Sequence, residues 1–234
     1  MEDLNEQNTE LMRGSSPDSL FDDPDDEHIH GPIVQLLAPS IRGLYYSPSI
    51  LLPPELCTTL FTQCTSAFFS SSLTSANQVM LFGTRMLPSF LVSLLQTLAH
   101  LLRPLLPAAV HTTLFDSSPE RRQAIVNRYE PGDGISPHVD LLGRYADGIV
   151  GVSLGSSCSM VFARGEEKHA VFLPPGSAIV LTGEARYDWT HGIERRFEDL
   201  VQGEEGDMQV KKRETRISIT FRWLLPDAMV VGGP

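Results

Sequence analysis

Ala124-Ile125-Val126-Asn127-Arg128-Tyr129-Glu130-Pro131-Gly132-Asp133-Gly134-Ile135-Ser136-Pro137-His138-Val139-Asp140 is the stretch where the chain changes its periodicity. Residues 124–129 are rich in β-branched and apolar side chains, as a strand requires. The Pro131-Gly132-Asp133-Gly134 cluster behind them is turn chemistry, because proline presets φ and glycine accepts positive φ. His138 and Asp140 follow, two residues apart. On an extended backbone they project from one face, offering a nitrogen and an oxygen donor together.

Working outward from this stretch, the C-terminal side continues in short strands. Gly148–Leu154, Ser159–Ala163, Ala170–Leu173, Ala178–Thr182 and Arg216–Trp223 are the candidates, with Pro174-Pro175-Gly176 as a turn between two of them. Glu198–Lys212 is polar and reads as an inserted loop. On the N-terminal side the period is helical. Pro53-Pro54-Glu55 opens a helix carrying Leu56, Leu60, Phe61 and Cys64. Ser70–Asn77 reads as a loop. A second helix begins near Pro88, runs through Phe90, Leu91, Leu94, Leu95, Leu98 and Leu102, and ends before Pro107. Its broad apolar face predicts packing against a sheet. Helices first and strands after predict an all-β core with flanking helices, an α+β chain built on a jelly roll.

The chain has 234 residues with 41% hydrophobic and 20% charged side chains, the composition of one substantial globular domain. Its net charge of −11 is unevenly placed: residues 1–30 hold ten acids against Arg13, and the rest is nearly balanced. Asp22-Asp23-Pro24-Asp25-Asp26-Glu27 repels itself and buries little, so residues 1–31 are expected to form an acidic disordered tail, available to an unknown protein partner. The expected domain spans 32–234, with helical support over about 32–122 and the core over about 123–226. No apolar run approaches the ~20 residues of a membrane span, so no membrane role is expected. The start of the chain lacks the basic and apolar regions of a secretory signal. Three cysteines form neither a disulfide framework nor a CxxC zinc pair. These features predict a cytoplasmic or nuclear protein. A nearly neutral body argues against tight electrostatic binding to phosphates.

Chemistry concentrates in two places. His138 and Asp140 need a third ligand, and His191 in Trp189-Thr190-His191-Gly192-Ile193 supplies it from a strand-like stretch expected on the far side of the sheet. Two histidines and one carboxylate form the set that leaves three positions of Fe(II) open. His28 and His30 in the tail, His100 on the leucine-rich helix, and His111 and His169 in connecting or strand-edge sequence have no second ligand nearby. The other place is Arg216-Ile217-Ser218-Ile219-Thr220-Phe221-Arg222, an alternating strand with Arg216, Ser218, Thr220 and Arg222 on one face. Two guanidiniums on a buried face are costly unless anions meet them, the alternative being an arginine strand that faces solvent. A dicarboxylate such as 2-oxoglutarate satisfies both.

Asn127–Asp140, Leu181–Ile193 and Arg216–Arg222 together resemble, in the same order, the signature of the AlkB-like Fe(II)/2-oxoglutarate dioxygenases. The resemblance covers roughly Ile41 to Leu225 and is closest to the eukaryotic tRNA-acting branch. It implies a double-stranded β-helix with helices packed on one sheet. It implies that His138, Asp140 and His191 hold iron and that Asn127 and Tyr129 hydrogen-bond 2-oxoglutarate. Arg216 would take the distal carboxylate, and Arg222 would lie near the carboxylate beside the keto group. The implied reaction consumes O2, converts 2-oxoglutarate to succinate and CO2, and hydroxylates a substrate C–H. On an N-methyl group, the product breaks down to formaldehyde and the free amine. The implied substrate is a modified nucleobase, RNA favoured over DNA, because DNA-repairing members carry a carboxylate where this chain has Leu142. Met80 and Leu81, in the Asn77–Gly83 segment that resembles the family's substrate-side strand, are apolar where polar or basic residues are common. The alternatives are the same chemistry on a methylated protein or small molecule, a zinc hydrolase, and a non-catalytic jelly-roll binding module. The hydrolase lacks an HExxH-like general base and leaves the arginine pair unexplained.

Overall fold

The computed structural model describes residues 34, 36–70, 77–83, 87–203, 206–226 and 228. The expected acidic tail, with His28 and His30, and most of the Ser70–Asn77 loop lie outside the described residues. The helical part opens with α1 (Pro54–Cys64), where Pro54 sits in the first turn, the place where its missing N–H costs nothing. A π-helical turn, Thr65–Phe69, continues it. Helix α2 (Ser89–Leu101) buries Leu91, Leu94, Leu95 and Leu98, the i, i+3, i+4, i+7 stripe of an amphipathic helix. Helix α3 (Ala108–Phe115) follows at Pro107. Sequence reading placed His111 in a connection. It is instead buried on α3, with its ring nitrogen 2.7 Å from the Ala99 carbonyl oxygen on α2. Pro107, taken as a stop, is also a start, and the β-branched Val110, Thr112 and Thr113 mask the short helix.

Strands β1 (Leu44–Leu51), β8 (Ser177–Leu181), β5 (Ile149–Gly155), β12 (Arg216–Trp223), β3 (Arg122–Tyr129) and β2 (Gln78–Phe82) form a six-stranded sheet in that order. A four-stranded sheet runs β4 (Ile135–His138), β9 (Thr190–Ile193), β6 (Cys158–Arg164), β7 (Glu167–Leu173). All the strand pairings within these two sheets are antiparallel. Short helix α4 (Gly183–Tyr187) links β8 to β9. β1 escapes sequence reading because Pro48 interrupts it, and proline is tolerated there because β1 is an edge strand with a register shift.

Two apolar layers hold the architecture. One face of the large sheet, with Ala124, Val126, Val152, Leu154, Ile217 and Ile219, packs on the leucines of α1, α2 and α3. Between the sheets, Tyr46, Ile149 and Ile179 meet Phe162, Val171, Trp189 and Ile193. The expected jelly-roll core with helices on one sheet is the observed fold.

The expected inserted loop Glu198–Lys212 is a hairpin, β10 (Glu198–Gln202) and β11 (Met208–Lys212). Val201 packs with Val34, Val161, Ala170 and Phe172 over the outer face of the small sheet. Asp199, 0% exposed, gives both carboxylate oxygens to Arg213 at 2.7 Å. A polar composition hid this strand, because its buried charge is neutralised by a residue fourteen positions away.

Candidate metal and cosubstrate site

β4 and β9 pair so that His138 stands directly opposite His191. Cross-strand partners share a face, so both rings point to the same side, with centroids 4.5 Å apart. His191 was expected on the far side of the sheet; it is instead the immediate neighbour of His138. Gly192 makes this approach possible: a Cβ there would stand 2.9 Å from both the Ile135 carbonyl oxygen and the Pro137 nitrogen. Gly134 is tighter still, 2.2 Å from the Ile193 carbonyl oxygen on the same basis.

Asp140, just past β4, is buried and brings Oδ2 to 3.6 Å from His191 Nε2. One donor atom from each of His138, Asp140 and His191 lies within 4.8 Å of the others. His138 Nδ1 is 2.8 Å from the Ser136 carbonyl oxygen. Donation from Nδ1 to that oxygen leaves Nε2 with a free lone pair, the outer contact typical of a metal-bound histidine. Burial, with His138 and Arg186 adding unfavourable charge, lowers the His191 pKa to about 3. Burial also lowers that of His138, though its bond to Ser136 opposes the change. Both imidazoles are therefore neutral at physiological pH, the form that ligates a metal. Two neutral imidazoles and a carboxylate suit Fe(II).

Arg222 donates from Nη1 to Asp140 Oδ1 and from Nε to Gln123 Oε1 at 3.0 Å. Its guanidinium lies over the Tyr145 ring, 4.2 Å from the centroid. Burial lowers its pKa to about 10, so it stays charged. At the other end of β12, Arg216 Nε donates to Ser153 Oγ at 2.9 Å, while Nη1 is buried without a hydrogen-bond partner. The Arg216 guanidinium stands 5.3 Å from the Tyr129 ring centroid. Tyr129 and Arg216 line a cleft with Cys158, Ile193 and Arg213. Asn127, two residues before Tyr129 on β3, accepts a hydrogen bond from Gln78 Nε2 at 2.8 Å. A buried guanidinium nitrogen with no acceptor is an opening for a carboxylate.

A model of the 2OG-Fe(II) oxygenase superfamily matches residues 58–222, including all of these side chains. The chain belongs to that superfamily. Within it the chain is AlkB-like, as the motifs indicated, and superfamily members use Fe(II) and 2-oxoglutarate. The enzyme class is thus a 2-oxoglutarate-dependent dioxygenase. An uncharacterized protein of Acanthamoeba polyphaga mimivirus is 42% identical over 112 residues, covering 47% of this chain and 50% of the viral one. The mouse tRNA (carboxymethyluridine(34)-5-O)-methyltransferase is 43% identical over 112 residues, covering 43% of this chain and 17% of the mouse protein. An N6-methyladenosine RNA demethylase of Cryphonectria parasitica is 34% identical over 85 residues, 30% of this chain and 38% of its own length. The chain spans half or less of each of these curated relatives. A Pseudomonas putida prolyl-4-hydroxylase structure, 12% identical, overlays with TM-score 0.50 across 78% of this chain and 92% of its own, which shows a shared fold.

The candidate site contains residues that the sequence pattern alone did not assign. Gln123 is fully buried and orients Arg222. Its position at the start of the motif strand was the available signal. Arg186 is 1% exposed and donates to the backbone carbonyl of Asp140. His169 pairs with Glu167 at 2.9 Å and His100 is exposed on α2, so neither joins the site. Trp189 and Trp223 are buried packing residues. Among the described residues no helix is long and apolar enough to cross a membrane.

Proposed function

We propose that this chain carries out Fe(II)- and 2-oxoglutarate-dependent oxidation of a modified nucleobase, by demethylation or hydroxylation, with RNA or tRNA favoured over DNA. The observation that carries this reading is the convergence of His138, Asp140 and His191 within reach of one ion, in a two-sheet fold whose larger sheet carries Arg216 with an unsatisfied buried nitrogen. His138, Asp140 and His191 are the metal ligands in this assignment. Arg216 takes the distal carboxylate of 2-oxoglutarate, Asn127 and Tyr129 hydrogen-bond it, and Arg222 steadies Asp140 beside the carboxylate near the keto group. When bound, iron and 2-oxoglutarate supply the oxidising power, with O2 as co-substrate. The chain's own contribution is orientation, charge neutralisation and exclusion of water.

Two further features support a nucleobase in RNA. Relatives named for tRNA modification and RNA demethylation are 43% and 34% identical to this chain over 112 and 85 residues. Leu142, 56% exposed, stands where the DNA-repairing members carry a carboxylate. We assign catalysis to residues 32–234 and place the protein in the cytoplasm or nucleus.

The test is succinate formation by the purified chain under Fe(II), O2 and 2-oxoglutarate, with modified nucleosides, RNA and DNA oligonucleotides and methylated peptides as separate arms. Stimulation by a modified RNA base, lost in H138A, is the expected result. Stimulation by the peptide alone would refute the nucleobase reading. No iron-dependent turnover in any arm would refute catalysis itself.

A further inference from the structure

Between Asp140 and β5 the chain makes an excursion, exposed over residues 141–143 and buried at Tyr145, and both of its ends are tied to α4. At the start, Arg186 Nη1 donates to the Asp140 carbonyl oxygen at 2.9 Å and Nη2 to the Leu141 carbonyl oxygen at 3.3 Å. At the end, the Asp147 carboxylate accepts the Gly183 N–H, at 3.0 and 3.3 Å from its two oxygens. Helix α4 is itself fixed, with the Ala185 N–H donating to the Arg42 carbonyl oxygen at 3.0 Å. Four residues past α4 comes His191, behind the buried Trp189.

Arg186 is an unusual side chain to find inside. It is 1% exposed, faces no carboxylate within salt-bridge distance among the described residues, and rests 4.9 Å from the Tyr187 ring centroid. Burying a guanidinium is costly unless its N–H groups are satisfied, and backbone carbonyls satisfy Nη1 and Nη2 here, while Nε is buried without a partner. Its planar fork matches two consecutive carbonyls, whereas a lysine ammonium would be a single point donor.

We infer that Arg186 is a positioning residue for the metal centre: it binds the backbone of Asp140 to α4, and so holds Asp140 in register with His191. Asp140 is thereby fixed twice, at its carboxylate by Arg222 and at its carbonyl by Arg186. The two ligands, 51 residues apart in sequence, are joined by one rigid bracket rather than by the β4·β9 pairing alone. This inference rests on the metal-site assignment above.

The test is titration of full-length wild type, R186Q, R186K and V201A with Co(II), read by visible absorption and paired with thermal melts of the metal-free proteins. V201A loosens packing on the outer face of the small sheet and touches no ligand. It should lower the melting temperature and leave the Co(II) dissociation constant unchanged. R186Q should weaken Co(II) binding by about 10–100-fold, the usual effect of losing an outer-sphere partner, and alter the ligand-field bands. R186K, reaching one carbonyl, should fall between R186Q and wild type. A folded R186Q with wild-type affinity and spectrum overturns the inference. If R186Q does not fold, wild-type affinity in R186K overturns it equally. Failure of wild type itself to bind Co(II) refutes the metal-site assignment, whereas equal binding by wild type and the Arg186 variants refutes only this role.

Discussion

Replacing Arg213 with methionine removes the only ion-pair partner that the Asp199 carboxylate has among the described residues. Both oxygens of Asp199 accept from Arg213 at 2.7 Å, and the aspartate is 0% exposed, so no water replaces the lost donors without rearrangement. Arg213 Nη1 also donates to the Glu194 carbonyl oxygen at 2.7 Å, just past the strand that carries His191. Breaking one side of a buried pair costs about 3–5 kcal/mol, because the remaining charge stays uncompensated. For a domain of this size a melting temperature falls about 2–4 °C per kcal/mol, so R213M should melt roughly 6–20 °C lower. D199L/R213M should recover most of that loss, since a matched apolar replacement is often neutral. Circular dichroism melts of the three proteins at neutral pH decide the matter. A loss below about 1 kcal/mol in R213M, or a double variant no better than the single one, would refute the view that this pair holds the hairpin.

Three other perturbations have defined outcomes. R216M should weaken 2-oxoglutarate binding by about 10–100-fold, the value of one or two charge-assisted hydrogen bonds, measured by calorimetry with Mn(II) present to prevent turnover. G192A should destabilise the fold by about 1–3 kcal/mol in urea melts and reduce metal affinity, because its Cβ meets backbone atoms of β4 that cannot swing aside. Burial pushes the Cys64 thiol up to about 12, so below that pH it remains protonated and unreactive. Mass spectrometry after iodoacetamide treatment of the native protein at pH 8 should show Cys57, which is partly exposed, alkylated well before Cys64.

Legibility in the sequence followed the range of the interactions. The leucine stripe of α2 and the alternation of β12 are local periodicities, and both appear where the pattern placed them. The HxD triplet, the second histidine and the two arginines were readable because each is a chemically committed residue in a short extended segment. β1, α3 and the β10–β11 hairpin were not readable, for reasons that are non-local. Pro48 is tolerated only because its strand is at an edge, and His111 is buried only because α2 presents the Ala99 carbonyl. Asp199 looks like a surface acid until Arg213 folds back on it.

By itself, the sequence singled out the side chains of the candidate site and placed most of them on strands, since residue type and a period of two are properties of a short segment. Tertiary structure alone decided that His138 and His191 are direct cross-strand neighbours, that Gln123 sets the angle of Arg222, and that Arg186 grips the backbone of Asp140. Those relations depend on strand register and on contacts between residues dozens of positions apart. They exist only once two sheets have closed on a shared core.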